Sequence, residues 1–189
     1  MSEKKTNKEK KVSKEITTGT QTPMATAHFS WGELIAPELY KEFKNRWHEL
    51  LDANVIEIAE WLRVETGKPI IINNWQSGGQ FKYSGVRPMD CPIGAKGSAH
   101  KVNISNGNVI RKGCALDLKV SGFSEQDLYE LIKKNYKDLF NKGLRQVESP
   151  TITVNPKTGE GWVHISTRRT GKNCVQVITN TAVIETWSI

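Results

Sequence analysis

GSAHKVNISNGNVIRKGCALDLKV, residues 97–120, opens with one of the four histidines of the chain, His100, and closes around an aspartate, Asp117, set among apolar residues. Between them, VNI and NVI flank Ser-Asn-Gly, the pattern of a β-hairpin, because Asn106-Gly107 supplies the positive backbone angles that a tight primed turn demands. Paired strand residues at the foot of a hairpin lie about 5.5 Å apart however long its arms are. His100 and Asp117 can therefore share one site. With residues 102–111 folded away, Lys101 meets Lys112 and the chain reads Ser-Ala-His-Lys-Lys-Gly-Cys-Ala-Leu-Asp. CALDLKV, residues 114–120, alternates as a half-buried strand does.

Outward from this stretch, the N-terminal side reads as helical. From Pro37 to Leu51 the residues Leu39, Tyr40, Phe43, Trp47, Leu50 and Leu51 recur at helical spacing, and a second helix is expected after Asp52, stopped by Gly67 and Pro69. PIIINNW, residues 69–75, is a β-branched run suited to a buried strand, and a glycine-containing loop follows it. On the C-terminal side, Ser124 and Asp127 open a helix through EQDLYELIKKNYKDLF, which Asn141 and Gly143 close. LRQV, TITV, WVHIS, CVQVI and AVIETW are then strand candidates, with an Asn-Pro-Lys-Thr-Gly turn at 155–159. Helices first and strands later predict a single α+β domain with a mainly antiparallel sheet flanked by helices. The expected division is a flexible lysine-rich arm over 1–26 and a domain over 27–189, the latter carrying an inserted hairpin at about 101–112.

Composition narrows the function classes. At 189 residues the chain suits one well-buried domain, and no window of about 18 apolar residues exists to span a membrane. The formal charge of +7 is unevenly spread, because residues 1–22 alone hold six Lys and three Glu. What remains is modest for a nucleic-acid binder, so a nucleic-acid partner using the arm and Lys101, Arg111 and Lys112 ranks last. Three cysteines without CxxC spacing, Cys91, Cys114 and Cys174, are expected to be reduced thiols.

The spliced pattern Ser-x-His-x-x-Gly-x-Ala-x-Asp resembles the zinc-dependent D-alanyl-D-alanine carboxypeptidases and L-alanyl-D-glutamate endopeptidases, a family that includes many phage endolysins and shares its fold with the hedgehog signalling domain. The resemblance covers roughly residues 28–168, with its parts in the family's order. It implies that His100 and Asp117 are two zinc ligands and that the histidine of GWVHIS, His164, is the third. An upstream Ser-Gly-(aromatic)-Arg element that holds substrate in the family is matched by Ser84 to Arg87, with Val86 in the aromatic place. HFSWGEL looks like the family's start.

Two His and one Asp suit catalytic zinc, which takes three protein ligands and keeps a fourth position for water. The resemblance thus implies a peptidoglycan stem peptide as substrate, with Arg87 binding a carbonyl oxygen or carboxylate and Ser98 and Ser84 positioning it. The general base departs from the pattern. Many members carry Glu three residues before the last His, whereas here Gly161 stands there and Glu160 lies four before His164. On a strand that shift turns the side chain to the other face unless a bulge near Gly159 or Gly161 corrects it. Glu148, near the end of QVES, is the second candidate. Cys114 falls on the wrong face to join Asp117, and His28 and His48 are expected to lie outside the site, with Trp75 in the core.

The expectation is a zinc metallopeptidase of the phage or bacterial lysin type. It would be made in the cytoplasm without a signal peptide, and would act on the wall after release or as a virion component. A noncatalytic zinc-containing wall-binding or virion structural protein of the same fold is the alternative, which the displaced Glu160 favours.

Overall fold

The chain is described by a computed structural model over residues 23–155, 157, 160–179 and 182–189. Residues 1–22 of the lysine-rich arm, and Pro156, Thr158 and Gly159 of the expected 155–159 turn, lie outside the described residues. From Pro23 onward the chain is engaged: Trp31 N–H donates to the Pro23 carbonyl and Met24 bridges Ser30.

Local chemistry sets the helices. Ser30 and Glu33 form a capping box that starts α1 (Trp31–Leu34), and Pro37 occupies the first turn of α2 (Pro37–Phe43). The expected continuous helix to Leu51 breaks at Lys44, where φ is 38°, and continues as a 3-10 segment, Lys44–Glu49. Tyr40 and Trp47, which helical spacing assigned to one helix face, instead stack at 4.6 Å across this break. Asp52 caps α3 (Ala53–Thr66), and Gly67, at φ 61°, ends it in the left-handed region.

The 69–75 run yields only a short strand, β1 (Ile70–Ile71). β2 (Asn103–Ser105) and β3 (Asn108–Arg111) form the hairpin, with Asn106 and Gly107 at φ 51° and 74°. β4 (Ala115–Val120) follows. The helix after Ser124 divides at Asn135 into α4 (Glu125–Lys134) and α5 (Tyr136–Asn141), because the Asn135 side chain donates to the Leu131 carbonyl. Then come β5 (Gln146–Glu148), α6 (Pro150–Thr153), β6 (Val163–Ser166), β7 (Cys174–Ile178) and β8 (Val183–Ser188). TITV is thus helical rather than a strand. Ser149 accepts from the Thr151 N–H and Pro150 sits in the first turn, and these start signals override the β preference of Thr and Ile.

One sheet of six strands, in the order β1-β4-β6-β5-β7-β8, and the separate β2-β3 ladder make up the strand content of the described residues. All sheet pairs are antiparallel except β5-β7. The fold is α+β. Leu116 and Leu118 of β4 and Val163 and Ile165 of β6 are fully buried, in one cluster with Val55, Ile58 and Leu62 of α3 and Leu128 and Ile132 of α4. Each such aliphatic side chain contributes about 1.5–3 kcal/mol when removed from water. The opposite faces of β4 and β6 are left to carry polar residues. No helix among the described residues is long and apolar enough to cross a membrane.

The hairpin joins its feet as the splice requires. Cys114 N–H donates to the Ala99 carbonyl at 2.8 Å, and Asn103 pairs with Arg111. Val102, however, is fully buried and bonds Arg87, so it belongs to the core rather than to the insertion. Replacing residues 104–110 by Asn-Gly should therefore leave a folded protein that still binds one zinc per chain, measured by elemental analysis after gel filtration. Loss of metal from a folded variant would show that the hairpin itself shapes the site.

Candidate metal centre

Antiparallel register places Asp117 of β4 directly opposite His164 of β6. Because side chains alternate along a strand, the burial of Leu116, Leu118, Val163 and Ile165 forces Asp117 and His164 onto the same opposite face. Their side chains meet, His164 Nδ1 lying 2.9 Å from Asp117 Oδ1. His100 arrives from the segment before the hairpin, held by a bond from the Arg87 N–H to its carbonyl. Its ring Nδ1 is 2.9 Å from the Gly85 carbonyl. A carbonyl can only accept, so Nδ1 carries the proton and Nε2 offers its lone pair to the site. Nε2 lies 3.1 Å from His164 Nδ1 and 3.2 Å from Asp117 Oδ1.

These three atoms fit a tetrahedral ion. Bonds of about 2.0–2.1 Å set tetrahedral ligand atoms roughly 3.3 Å apart, and here the separations are 2.9, 3.1 and 3.2 Å. The three donors form a buried cluster that can hold a metal. The Gly85 carbonyl fixes the His100 tautomer, as an outer partner does for a metal-ligating histidine. Gly85 must be glycine, since a Cβ there would run into the Leu34 carbonyl oxygen. Gly113, after the hairpin, is similarly hemmed in by Val86 and the His100 carbonyl.

Electrostatics follow from burial and pairing. Burial pushes His100 below its ordinary value. Burial also pulls on His164, but the hydrogen bond and charge of Asp117 outweigh it and raise this histidine. Burial opposes ionisation of Asp117, yet the charges and hydrogen bonds of the two histidines hold its carboxyl far below the usual carboxylate range. The trio is a pre-formed anionic pole between two imidazoles.

Comparisons with protein-family models, curated proteins and solved structures give no match to this chain.

The remaining sequence candidates divide among three cavities. One, of about 490 Å³, holds all three ligands together with Arg87, Ser98, Glu148, Trp162 and Arg168. Glu148 is there because β5 pairs β6 through Gln146–Ser166 and Val147–Ile165, and the next step of that register sets Glu148 opposite His164. Asp117, His164 and Glu148 thus form a row across three adjacent strands. Burial pushes the Glu148 carboxyl up, with the Asp117 charge adding to that and His164 and Arg87 opposing it. Glu160 is exposed and lines a neighbouring cavity with Asn155, Gly161 and Lys119 that contains none of the three ligands.

Arg87 is 5% exposed, and its Nε has no hydrogen-bond partner among the described residues. Arg87 lines the ligand cavity, and an enclosed donor without an acceptor is uncommon in a folded protein. Val86, in the aromatic place of the motif, is fully buried and bonded through its backbone to Leu34 and Ala36, so it packs rather than lines the cavity. Ser98 Oγ accepts from the His100 N–H at 3.3 Å, a turn bond at the cavity wall. Ser84 carbonyl accepts from the Asp117 N–H, and its hydroxyl accepts from Lys119 Nζ. Cys114, whose thiol burial pushes up, is outside the ligand group, as are the exposed His28, which pairs with Glu60, and His48. Trp75 meets Tyr40 edge-on and bonds the Ile35 carbonyl, away from the site.

Zinc titration against a competing chelator should give one site per chain. His100→Ala or Asp117→Asn should weaken it by more than the roughly 10- to 100-fold that loss of an outer-shell partner costs. Unchanged zinc affinity in both variants would remove the site.

Proposed function

We propose that the chain is a zinc-dependent peptidase cutting an amide in bacterial cell-wall stem peptides, and that His100, Asp117 and His164 hold the metal. The observation that carries this reading is the convergence of those three donor atoms at tetrahedral spacing in a cavity also lined by Arg87 and by a second carboxylate, Glu148. Two neutral histidines and one carboxylate leave zinc a net charge of +1, and the ion supplies Lewis acidity and lowers the pKa of a bound water toward about 7.

The chain's own residues do the rest. Arg87 donates to the carbonyl oxygen of the scissile amide or to a nearby carboxylate, through a planar fork that never loses its charge at physiological pH. Ser98 lines the ligand cavity and Ser84 the adjoining one, and both orient the peptide. Glu148 serves as general base in place of Glu160: it lines the ligand cavity, and burial pushes its carboxyl above its ordinary value, the direction that suits a proton acceptor. Phage-type release or carriage in a virion is the setting in which such an enzyme would reach its wall substrate.

Mass spectrometry of purified peptidoglycan after incubation with the zinc-loaded protein tests this directly, beside chelator-treated and His164→Ala controls. New peptide ends that require zinc are expected, and the ends name the bond. Glu148→Gln should lower the rate by about 10²- to 10⁴-fold with zinc still bound, while Glu160→Gln stays within about two-fold of the parent, as surface substitutions away from the chemistry do. No products from a protein holding one zinc per chain would leave the noncatalytic wall-binding reading standing instead.

A further inference from the structure

Beside the candidate metal centre lies a further cleft of about 260 Å³, lined by Phe81, Tyr83, Ser84 and Lys119 and sharing Arg87, Asp117 and Trp162 with the ligand cavity. Lys119 follows Asp117 by two residues on β4, so both point to the same face. The side chain is half-buried. Its ammonium lies 4.4 Å from the Phe81 ring centre, 6.0 Å from that of Trp162, and 3.2 Å from Ser84 Oγ. Among the described residues no carboxylate forms an ion pair with it. Asp117, the nearest acid along the strand, is taken up by the two histidines.

We infer that Lys119 and Ser84, walled by Phe81 and Trp162, form a carboxylate-binding subsite that selects an acidic group next to the scissile amide. The identity of the peptide rests on the peptidase reading above. An ammonium carries three donors and no acceptor, and here one goes to a neutral hydroxyl while two aromatic rings flank the group. Aromatic faces attract the cation but do not neutralise it. A carboxylate entering the cleft would complete the set, and its neighbouring methylene or methyl groups would rest on Phe81 and on Trp162, which is 38% exposed.

Spacing limits which carboxylate it can be. Two residues along a strand span about 6.6 Å, and an extended peptide advances about 3.3–3.6 Å per residue. An anion held at Lys119 therefore belongs to a residue within one or two positions of the amide at the metal. In a stem peptide whose third residue carries no free carboxylate, such as Lys, two groups meet that condition: the free C-terminal carboxylate and the carboxylate on D-Glu.

The test uses three synthetic stem peptides: one with all carboxylates free, one amidated at the C-terminus, and one amidated at the D-Glu carboxylate. Each is titrated into zinc-loaded parent, Lys119→Gln and Lys119→Arg proteins, followed by peptide-observed NMR, which reports binding and resolves any cleavage products. One amidation is expected to weaken binding to the parent and to Lys119→Arg by about 10- to 100-fold, the range of a charge-assisted hydrogen bond. Lys119→Gln, with zinc content and melting temperature unchanged, should bind the free and amidated peptides alike. The amidation that matters names the source of the carboxylate. A full carboxylate preference in Lys119→Gln, or none in the parent, overturns the subsite even if the peptide is cleaved. A preference lost in Lys119→Gln without any cleavage supports the subsite and overturns the peptidase reading.

Discussion

Register between β4 and β6 is the constraint on which the rest depends. Leu116 and Leu118 face Val163 and Ile165 in the core, and Asp117 sits opposite His164 on the other side. A slip of one residue would move these aliphatic groups into water and the ligands into the core. The energy that holds the site in place is thus hydrophobic, and it comes from residues that touch no ligand. The same alternation sets Lys119 beside Asp117 along one strand and Glu148 beside His164 across the next pair. Four polar side chains are positioned by one decision about which face is buried.

His100 is the exception, since it sits on no strand of the sheet. Its position depends on backbone bonds with the 84–87 segment: the Arg87 N–H to its own carbonyl, and its ring Nδ1 to the Gly85 carbonyl. The segment that orients the third ligand is therefore the one that carries Arg87. Gly85 can be there only as glycine, because Leu34 passes too close for any Cβ. α1 and the ligand histidine are linked through that contact, although they are far apart in sequence.

Much of this was legible in the chain itself, because the relevant signals are local. Asn106-Gly107 specifies its turn with two residues, and the alternation of CALDLKV and WVHIS follows from burial of one face. Ser-Pro at 149–150 is an equally local signal, and it outranks the β-branched letters of TITV that point to a strand. What local pattern does not carry is pairing over distance. The parallel β5-β7 contact and the strand order that puts Glu148 next to His164 are set by packing of the whole sheet. Counting back from His164 leads to Glu160, which is near in sequence and outside the ligand cavity; counting across the sheet leads to Glu148. Lys119 was readable as a neighbour of Asp117 on one face, but nothing along the chain shows that Phe81 and Trp162 close around it.

The β2-β3 hairpin separates two measures that usually agree, length along the chain and distance in space. Its feet are fixed by the Cys114 to Ala99 bond and the Asn103 to Arg111 pair, while its tip ends in exposed residues. Lengthening such a tip costs little, about 0.6 kcal/mol for each doubling of a flexible loop, and moves no ligand. The interval between His100 and Asp117 is accordingly free to drift in size while the arrangement of the three donor atoms stays constant. A search by fixed residue spacing would read that drift as loss of the site, whereas one that allows for a ladder between the two ligands would not.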